Sequence, residues 1–313
     1  MPQQQDEVEA LLEYLKRTRG FDFTGYKRAS LERRIIKRMQ MVGVASFAEY
    51  TDYLEVHPEE FSGLFNTVLI NVTSFFRDAS SWEFIAGSVI PDLLARRTEG
   101  KPIRVWSAGC ASGEEAYTLA VLFAEALGAD AFRERVKIYA TDVDEEALLK
   151  ARQATYSDRE VAEVSPPLLE KYFEAAEGKY LFRKDLRRQV IFGRHDLIQD
   201  APISRVDMLV CRNTLMYFNA ETQTRILARF QFALNDHGVL FLGRAETLMT
   251  HAGTFAPLDL KRRVSTKLPS PAGSLRDRLL SLVQQQPSTN GSDGAEPNRL
   301  REIVLDATPT AQI

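Results

Sequence analysis

The sequence predicts an α/β domain built on a largely parallel sheet, interrupted by a small inserted β-subdomain and preceded by an all-α domain. Three observations carry this reading. Up to about residue 85 the apolar residues recur at helical spacing with no convincing strand. After Lys101-Pro102, short apolar runs alternate with amphipathic segments, the pattern of a sheet covered by helices on both faces. The interval 155–189 is more polar and breaks that alternation, as an insertion would. The expected domains are therefore 1–88 and 89–268.

Taken in order, Val8, Leu11, Leu12 and Leu15 mark a first helix, and Leu31, Ile35 and Met39 a second. The glycine and aromatics of Asp22–Tyr26 form the turn between them. Ser46 is placed to cap a third helix, with Glu49 at the capping-box position. Phe61, Leu64, Phe65 and Val68 mark a fourth. Ile103–Gly109 reads as a strand ending in small residues, followed by a helix over Glu114–Leu127. Val136–Ala140 is a second strand and Glu145–Arg152 its helix. Val190–Gly193, Val206–Cys211 and Val239–Leu242 are further strands, with a helix over Glu221–Leu234, and 255–268 fits a final antiparallel pair. From Pro269 the composition loosens, and 269–299 reads as a flexible linker. The closing stretch, 300–313, becomes apolar again and resembles the opening helix and first strand of a PAS sensor domain, as in a piece of a longer signalling protein.

The chain has 313 residues, 44% hydrophobic and 27% charged, with a net charge of −3, which argues against bulk nucleic-acid binding. No run reaches the roughly 18 apolar residues of a membrane span. The acidic, amphipathic start is unlike a signal peptide. Cys110 and Cys211, both in apolar runs, fit reduced thiols in a cytoplasmic protein. Scattered histidines and the lack of a CxxC motif predict no metal site. Charge is nevertheless uneven: Lys27, Arg28, Arg33, Arg34, Lys37 and Arg38 face a single acid, Glu32. That stretch is either a solvated helix face or a patch for an acidic partner.

The first strand runs into Gly109-Cys110-Ala111-Ser112-Gly113-Glu114-Glu115. A small-residue loop there lets a ligand approach the backbone at the carboxyl edge of the sheet. It has neither the GxGxxG spacing of a dinucleotide site nor the GK[ST] of a P-loop. Two glutamates would repel a phosphate but suit a ligand bearing an amino group; alternatively they only complement the helix dipole. The second strand ends in Thr141-Asp142-Val143-Asp144. Asp144 reads as an N-cap, which leaves Asp142 to hold the two hydroxyls of a ribose. Loop and acid together favour an adenosine-containing cofactor without phosphates.

Four segments, Asn71–Asp78, Trp106–Glu115, Ala140–Asp142 and Cys211–Phe218, occur in this order. They closely resemble the CheR family of chemotaxis receptor glutamate methyltransferases over about residues 8–268. The resemblance implies a Rossmann-like class I methyltransferase domain behind the helical one, S-adenosylmethionine as cofactor and S-adenosylhomocysteine as product. It implies that Asn71, Thr73 and Arg77 line the cofactor from the domain junction, with Arg77 on the methionine carboxylate. Gly109 would lie in the cofactor loop, Glu114 at the amino end and Asp142 on the ribose. Asp196 and Leu197 would flank the adenine, Asp196 standing where asparagine is common. Arg212, Asn213 and Tyr217 would sit near the methyl group, with Arg212 orienting the incoming carboxylate and Tyr217 steadying it. The partners implied are the cytoplasmic helices of chemoreceptors, docked on Arg33, Arg34, Lys37 and Arg38. The compact turn Ala175–Lys179 suggests an enzyme that does not rely on a receptor's C-terminal tether peptide.

No nucleophile–base constellation is needed, because a glutamate with a pKa of about 4.3 is already ionised at neutral pH. Two rivals remain open at this level. One is a methyltransferase with another substrate, although Cys211–Thr214 differs from the Asn/Asp-Pro-Pro-Tyr of amino-methyltransferases acting on nucleic acid. The other is a non-catalytic module that binds the cofactor.

Overall fold

The computed structural model describes residues 2–69, 71–97, 100–246 and 253–269. The expected linker from residue 270 onward and the 300–313 segment lie outside the described residues.

Four helices open the chain: α1 (Pro2–Arg19), α2 (Arg28–Val42), α3 (Phe47–Val56) and α4 (Glu60–Val68). Their apolar faces meet in one core containing Val8, Leu11, Leu31, Ile35, Tyr50, Leu54, Leu64 and Val68. Helix α2 stops at Gly43, whose φ of 76° is open to glycine. There the Gly43 and Val44 N–H groups close back on the carbonyls of Gln40 and Met39. Ser46 and Glu49 form the reciprocal capping box of α3.

A helical run follows, α5 (Ala79–Phe84), a π turn (Ile85–Val89) and α6 (Ile90–Arg96). Its buried residues Trp82, Ile85, Val89, Ile90 and Leu93 pack with the sheet and not with α1–α4. The core of the first four helices closes at Val68, so the expected boundary at residue 88 falls inside a helical run that belongs to the sheet's core.

The strands and helices of the second layer are β1 (Ile103–Ala108), α7 (Glu114–Leu127), α8 (Ala129–Arg135), β2 (Val136–Asp142) and α9 (Glu145–Gln153). The insertion comprises β3 (Thr155–Ser157), α10 (Pro166–Tyr172), β4 (Phe173–Ala176), β5 (Lys179–Phe182) and α11 (Lys184–Arg187). Then come β6 (Val190–Arg194), β7 (Val206–Cys211), a 3-10 turn (Leu215–Tyr217), α12 (Ala220–Ala233), β8 (Leu234–Leu242), β9 (Phe255–Asp259) and β10 (Val264–Lys267). The main sheet has the order β6-β2-β1-β7-β8-β10-β9. Its first five strands are parallel, and the last two pair antiparallel. β7 is buried along its whole length, which is why Val206–Cys211 carries so few polar residues.

The insertion folds as a three-stranded antiparallel sheet, β3-β5-β4. Glu177 and Gly178, with φ of 50° and 73°, form a two-residue turn between β4 and β5, the backbone geometry that matches strand twist. Helix α8 was not expected, and β8 starts at Leu234 rather than Val239. Asn235-Asp236-His237-Gly238 reads as a turn by composition. Here it is absorbed as a register shift opposite Val206–Met208, with His237 at φ 60°.

The order of winding reverses at β1: β2 and β6 are added on one side, β7 and β8 on the other. Open α/β sheets form their ligand crevice at the carboxyl ends of strands at such a switch point.

Candidate cofactor cleft

A cleft of about 900 Å³, counting its open mouth, lies at the carboxyl ends of β1, β2, β6 and β7. The helical domain supplies one wall through Tyr26, Leu69 and the segment that follows α4.

After β1, Gly109 has φ 78°, and a Cβ there would stand 2.3 Å from Thr214 Oγ1. Glycine is therefore required where this loop meets the loop after β7. The expected amino-end residue, Glu114, does not reach the cleft. Its buried carboxylate accepts from Ser112 Oγ at 3.0 and 2.8 Å. One residue on, about 100° around the helix, Glu115 lines the cleft instead. Its Oε1 accepts from Ser107 Oγ at 2.8 Å, and Arg212 Nη1 stands 3.9 Å from Oε2. Burial pushes the Glu115 carboxyl up from 4.5 to about 7; Arg212, Ser107 and Arg77 oppose the rise, and Glu246 adds to it.

Asp142 at the end of β2 accepts from Ala111 N at 2.8 Å and Asp144 N at 3.0 Å. Burial, only partly offset by these bonds, holds its carboxyl above the ordinary range. A carboxylate has about four acceptor positions, so two remain for a ligand. Asp144 caps α9 through the N–H groups of Glu146 and Ala147. It also accepts from Asn71 Nδ2 at 2.5 Å, tying the junction segment to the sheet.

Thr73 and Arg77 line the cleft beside Asn71, and Arg77 donates to the Val72 carbonyl at 2.9 Å. Beyond β6, Asp196 and Leu197 line it too. Asp196 Oδ1 is committed to the N–H groups of Ile198 (2.7 Å) and Gln199 (3.3 Å) in its own turn.

Beyond β7, Arg212, Asn213 and Tyr217 line the cleft. Arg212 is more deeply set than its expected role as a carboxylate guide requires. Its side chain is 3% exposed, bonds Asp78 at 2.6 Å and lies 5.3 and 4.8 Å from the Trp82 and Phe241 ring centroids. Its charge is matched inside the fold, and the less buried arginine of the cleft is Arg77. Asn213 sits at φ 60° with its Oδ1 buried and unpaired among the described residues.

This loop is held by Glu246, which sequence reasoning missed. Its carboxylate accepts from the N–H groups of Asn213 (3.3 Å), Thr214 (2.9 Å), Leu215 (2.7 Å) and Gly243 (2.6 Å). Tyr26 and His195, also unexpected, line the cleft. Tyr26 is brought there by Lys27 N to Tyr217 O at 2.8 Å, Asn219 N to Gly25 O at 2.9 Å and its ring on Phe218 at 4.8 Å. The aromatic turn Asp22–Tyr26 was visible in the sequence, but nothing local tied it to a loop nearly 200 residues away.

Of the four basic residues expected to dock a partner, Arg33 and Lys37 are exposed. Arg38 makes a two-pronged pair with buried Glu60 at 2.7 and 2.6 Å, joined by Tyr50. Arg34 donates to the Val68 carbonyl and lies 4.9 Å from the Tyr217 ring centroid. The free basic face of α2 is thus narrower than its sequence suggests.

The donor set fits S-adenosylmethionine. A buried carboxylate suits an ammonium, Asp142 keeps acceptor positions for a diol, Arg77 suits a carboxylate, and a side-chain-free Gly109 admits close approach.

Comparison with known families agrees with this arrangement. Residues 6–69 match the all-alpha domain of CheR methyltransferases, and 71–264 their S-adenosylmethionine-binding domain. The chain is 37% identical over 286 residues to an "uncharacterized 104.1 kDa protein in hypE 3'region" of Rhodobacter capsulatus. That match takes 91% of this chain but 30% of the relative's length. It is 33% identical to a "chemotaxis protein methyltransferase" of Listeria innocua, covering 76% of this chain and 88% of that one. To the Escherichia coli protein of the same description it is 34% identical, over 72% and 79%. Among the described residues no helix is long and apolar enough to cross a membrane. With both domains of the family matched along 6–264 and the cofactor cleft at the switch point of the sheet, the chain belongs to the CheR family of S-adenosylmethionine-dependent methyltransferases.

Proposed function

We propose that the chain forms methyl esters on glutamate side chains of the cytoplasmic helices of chemoreceptors, acting in the cytoplasm and without a receptor tether peptide. The observation that carries this reading is that Tyr217 lines the same cleft as the groups that suit the cofactor: buried Glu115 for its ammonium, half-buried Asp142 for its ribose and Arg77 for its carboxylate. Relatives named as chemotaxis methyltransferases support the substrate class.

When bound, the cofactor supplies a sulfonium-activated methyl group. Glu115 holds the ammonium, Asp142 the ribose and Arg77 the methionine carboxylate. Asn71 and Thr73 flank them from the junction, and Asn213 with Gly109 shapes the opposite wall. Asp196 and Leu197 border the nucleobase. Tyr217, its ring braced by Arg34, steadies the incoming carboxylate through its hydroxyl. Arg212 acts from behind by balancing the charge of Glu115 and Asp78. No residue needs to remove a proton, because the nucleophile is already an anion. Because an anion and a sulfonium would lose their charges together, alignment of the two by these residues and exclusion of water from the cleft would supply the acceleration.

Receptor incubated with enzyme and methyl-labelled cofactor should acquire label that alkali releases as methanol. Tyr217→Phe should lower kcat by up to about 100-fold, the cost of a misplaced reactant, with S-adenosylhomocysteine affinity unchanged. Base-stable label would redirect the reading to another acceptor, and binding without transfer would mark a sensing module.

Arg33 and Lys37 carry the docking role most directly. Reversing both to glutamate should reduce receptor methylation by about tenfold at low salt, with the difference from wild type narrowing above about 0.3 M salt. A gap that is independent of salt would remove the electrostatic part of the proposal.

The short β4–β5 hairpin leaves little loop to clasp a peptide, which supports independence from a tether. Saturable binding of a receptor C-terminal peptide would reverse that part alone.

A further inference from the structure

The end of the sheet away from the cofactor cleft holds a second hollow, of about 1150 Å³ counting its open mouth. It lies where α6 ends and β1, β7 and β8 begin, at the amino ends of the strands. Five cationic side chains line it, Arg96, Arg97, Lys101, Arg104 and Arg205, against two carboxylates, Asp207 and Asp236. Both carboxylates are already matched. Asp207 is buried and accepts from Arg97, from Asn235 Nδ2 at 2.7 Å and from Arg104 N at 3.0 Å. Asp236 stands 3.6 Å from Lys267 Nζ, a cation outside the lining. Arg96, Lys101, Arg104 and Arg205 are left without an ion pair among the described residues.

Four unmatched cations around one concave surface repel one another, in a chain whose net charge is −3. On a convex solvated face such side chains splay apart; here two guanidinium groups are held in place. Arg104 lies 4.6 Å from the Tyr139 ring centroid, and Arg96 donates to the carbonyls of Asp92 at 3.1 Å and His237 at 3.5 Å. Arg205 and His237, at φ 59° and 60°, put two non-glycine residues of the left-handed region in the same lining. We propose that this hollow binds a small anion carrying two or more linked phosphates. Guanidinium forks pair with phosphate oxygens bidentately, and a phosphate chain bears charge on every unit. One short ligand can therefore meet cations arriving from α6, from β1 and from the turn before β7. A single carboxylate would leave part of the cluster unmatched. The cofactor cleft is no rival for such a ligand, because Glu115, Asp142 and Asp196 line it and would repel phosphates. Binding in the hollow is independent of which acceptor the cleft methylates.

The test is calorimetric titration of inorganic tripolyphosphate into the full chain saturated with S-adenosylhomocysteine, at about 0.1 M salt, where charges within about 10 Å still act. Wild type should bind one equivalent with a Kd below about 100 μM. Lys101→Gln combined with Arg205→Gln should weaken binding at least about tenfold. Both side chains are exposed and neither lines the cleft, so S-adenosylhomocysteine affinity should be unchanged and reports that the variant is folded. Arg33→Gln combined with Lys37→Gln, on the other basic surface, should have no effect on tripolyphosphate. No saturable binding up to about 1 mM overturns the inference, as does binding that the α2 pair removes and the hollow pair does not. Binding that appears only when S-adenosylhomocysteine is left out would place the anion in the cofactor cleft and overturn it too.

Discussion

Glu115→Gln is expected to weaken S-adenosylmethionine binding by about 100-fold near pH 8, the magnitude of breaking a buried ion pair. The change is nearly isosteric and keeps an acceptor for Ser107, so the loss reports charge and not shape. The wild-type carboxyl sits at about 7 because burial dominates, against the pull of Arg212, Ser107 and Arg77 and with a push from Glu246. That position dictates a pH profile. Pairing with an ammonium requires the carboxylate, so affinity should rise with pH up to about 7 and level off above it. The glutamine variant should lack that limb. For the unliganded protein the sign is opposite. The folded-state pKa lies above the unfolded value, so the folded chain binds more protons between about 4.5 and 7. This group's contribution to stability is therefore present at low pH and lost as pH rises through that window. Isothermal titration across pH 5.5–8.5 measures the first effect. A flat wild-type profile would remove Glu115 from the ammonium.

Glu246→Ala is expected to cost about 3–5 kcal/mol of stability and to abolish turnover. The 3% exposed carboxylate is the acceptor for four backbone N–H groups, three of them in the loop that carries Arg212, Asn213 and Tyr217. Removing it leaves those donors buried without partners. Glu246→Gln should be nearly as harmful, because an amide brings one oxygen and an N–H₂ that meets donors with donors. Urea denaturation gives the stability change, and methyl transfer the activity. A glutamine variant close to wild type in both would mean that the loop is held by packing alone.

Glu246 also shows where sequence reasoning stops. Strands buried on both faces announce themselves as apolar runs, as Val206–Cys211 does, and short-range caps such as Ser46–Glu49 and Asp144 are visible within three residues. Asp142 was legible for the same reason: its position at a strand end is local information. The choice between Glu114 and Glu115 was not, because it depends on Ser107 and Arg212, residues brought near only by the fold. Arg38 looked free beside its neighbours in α2, and its partner Glu60 lies on another helix. The side taken by the helical run beginning at Ala79 was not legible, because its periodicity is the same whichever core it serves.

The contacts of Gly25–Lys27 with Tyr217–Asn219 have a thermodynamic consequence. The loop that carries Tyr217 also holds Gly25–Lys27 of the helical domain, and Tyr26 of that domain lines the cofactor cleft. Cofactor loading and the seating of the first four helices therefore draw on shared interactions. Linkage then imposes reciprocity: if a partner gripping α2 changes cofactor affinity by some factor, the cofactor changes affinity for that partner by the same factor. Where the methyl-bearing and demethylated forms of the cofactor couple to this loop by different factors, a partner that never touches either would tell them apart.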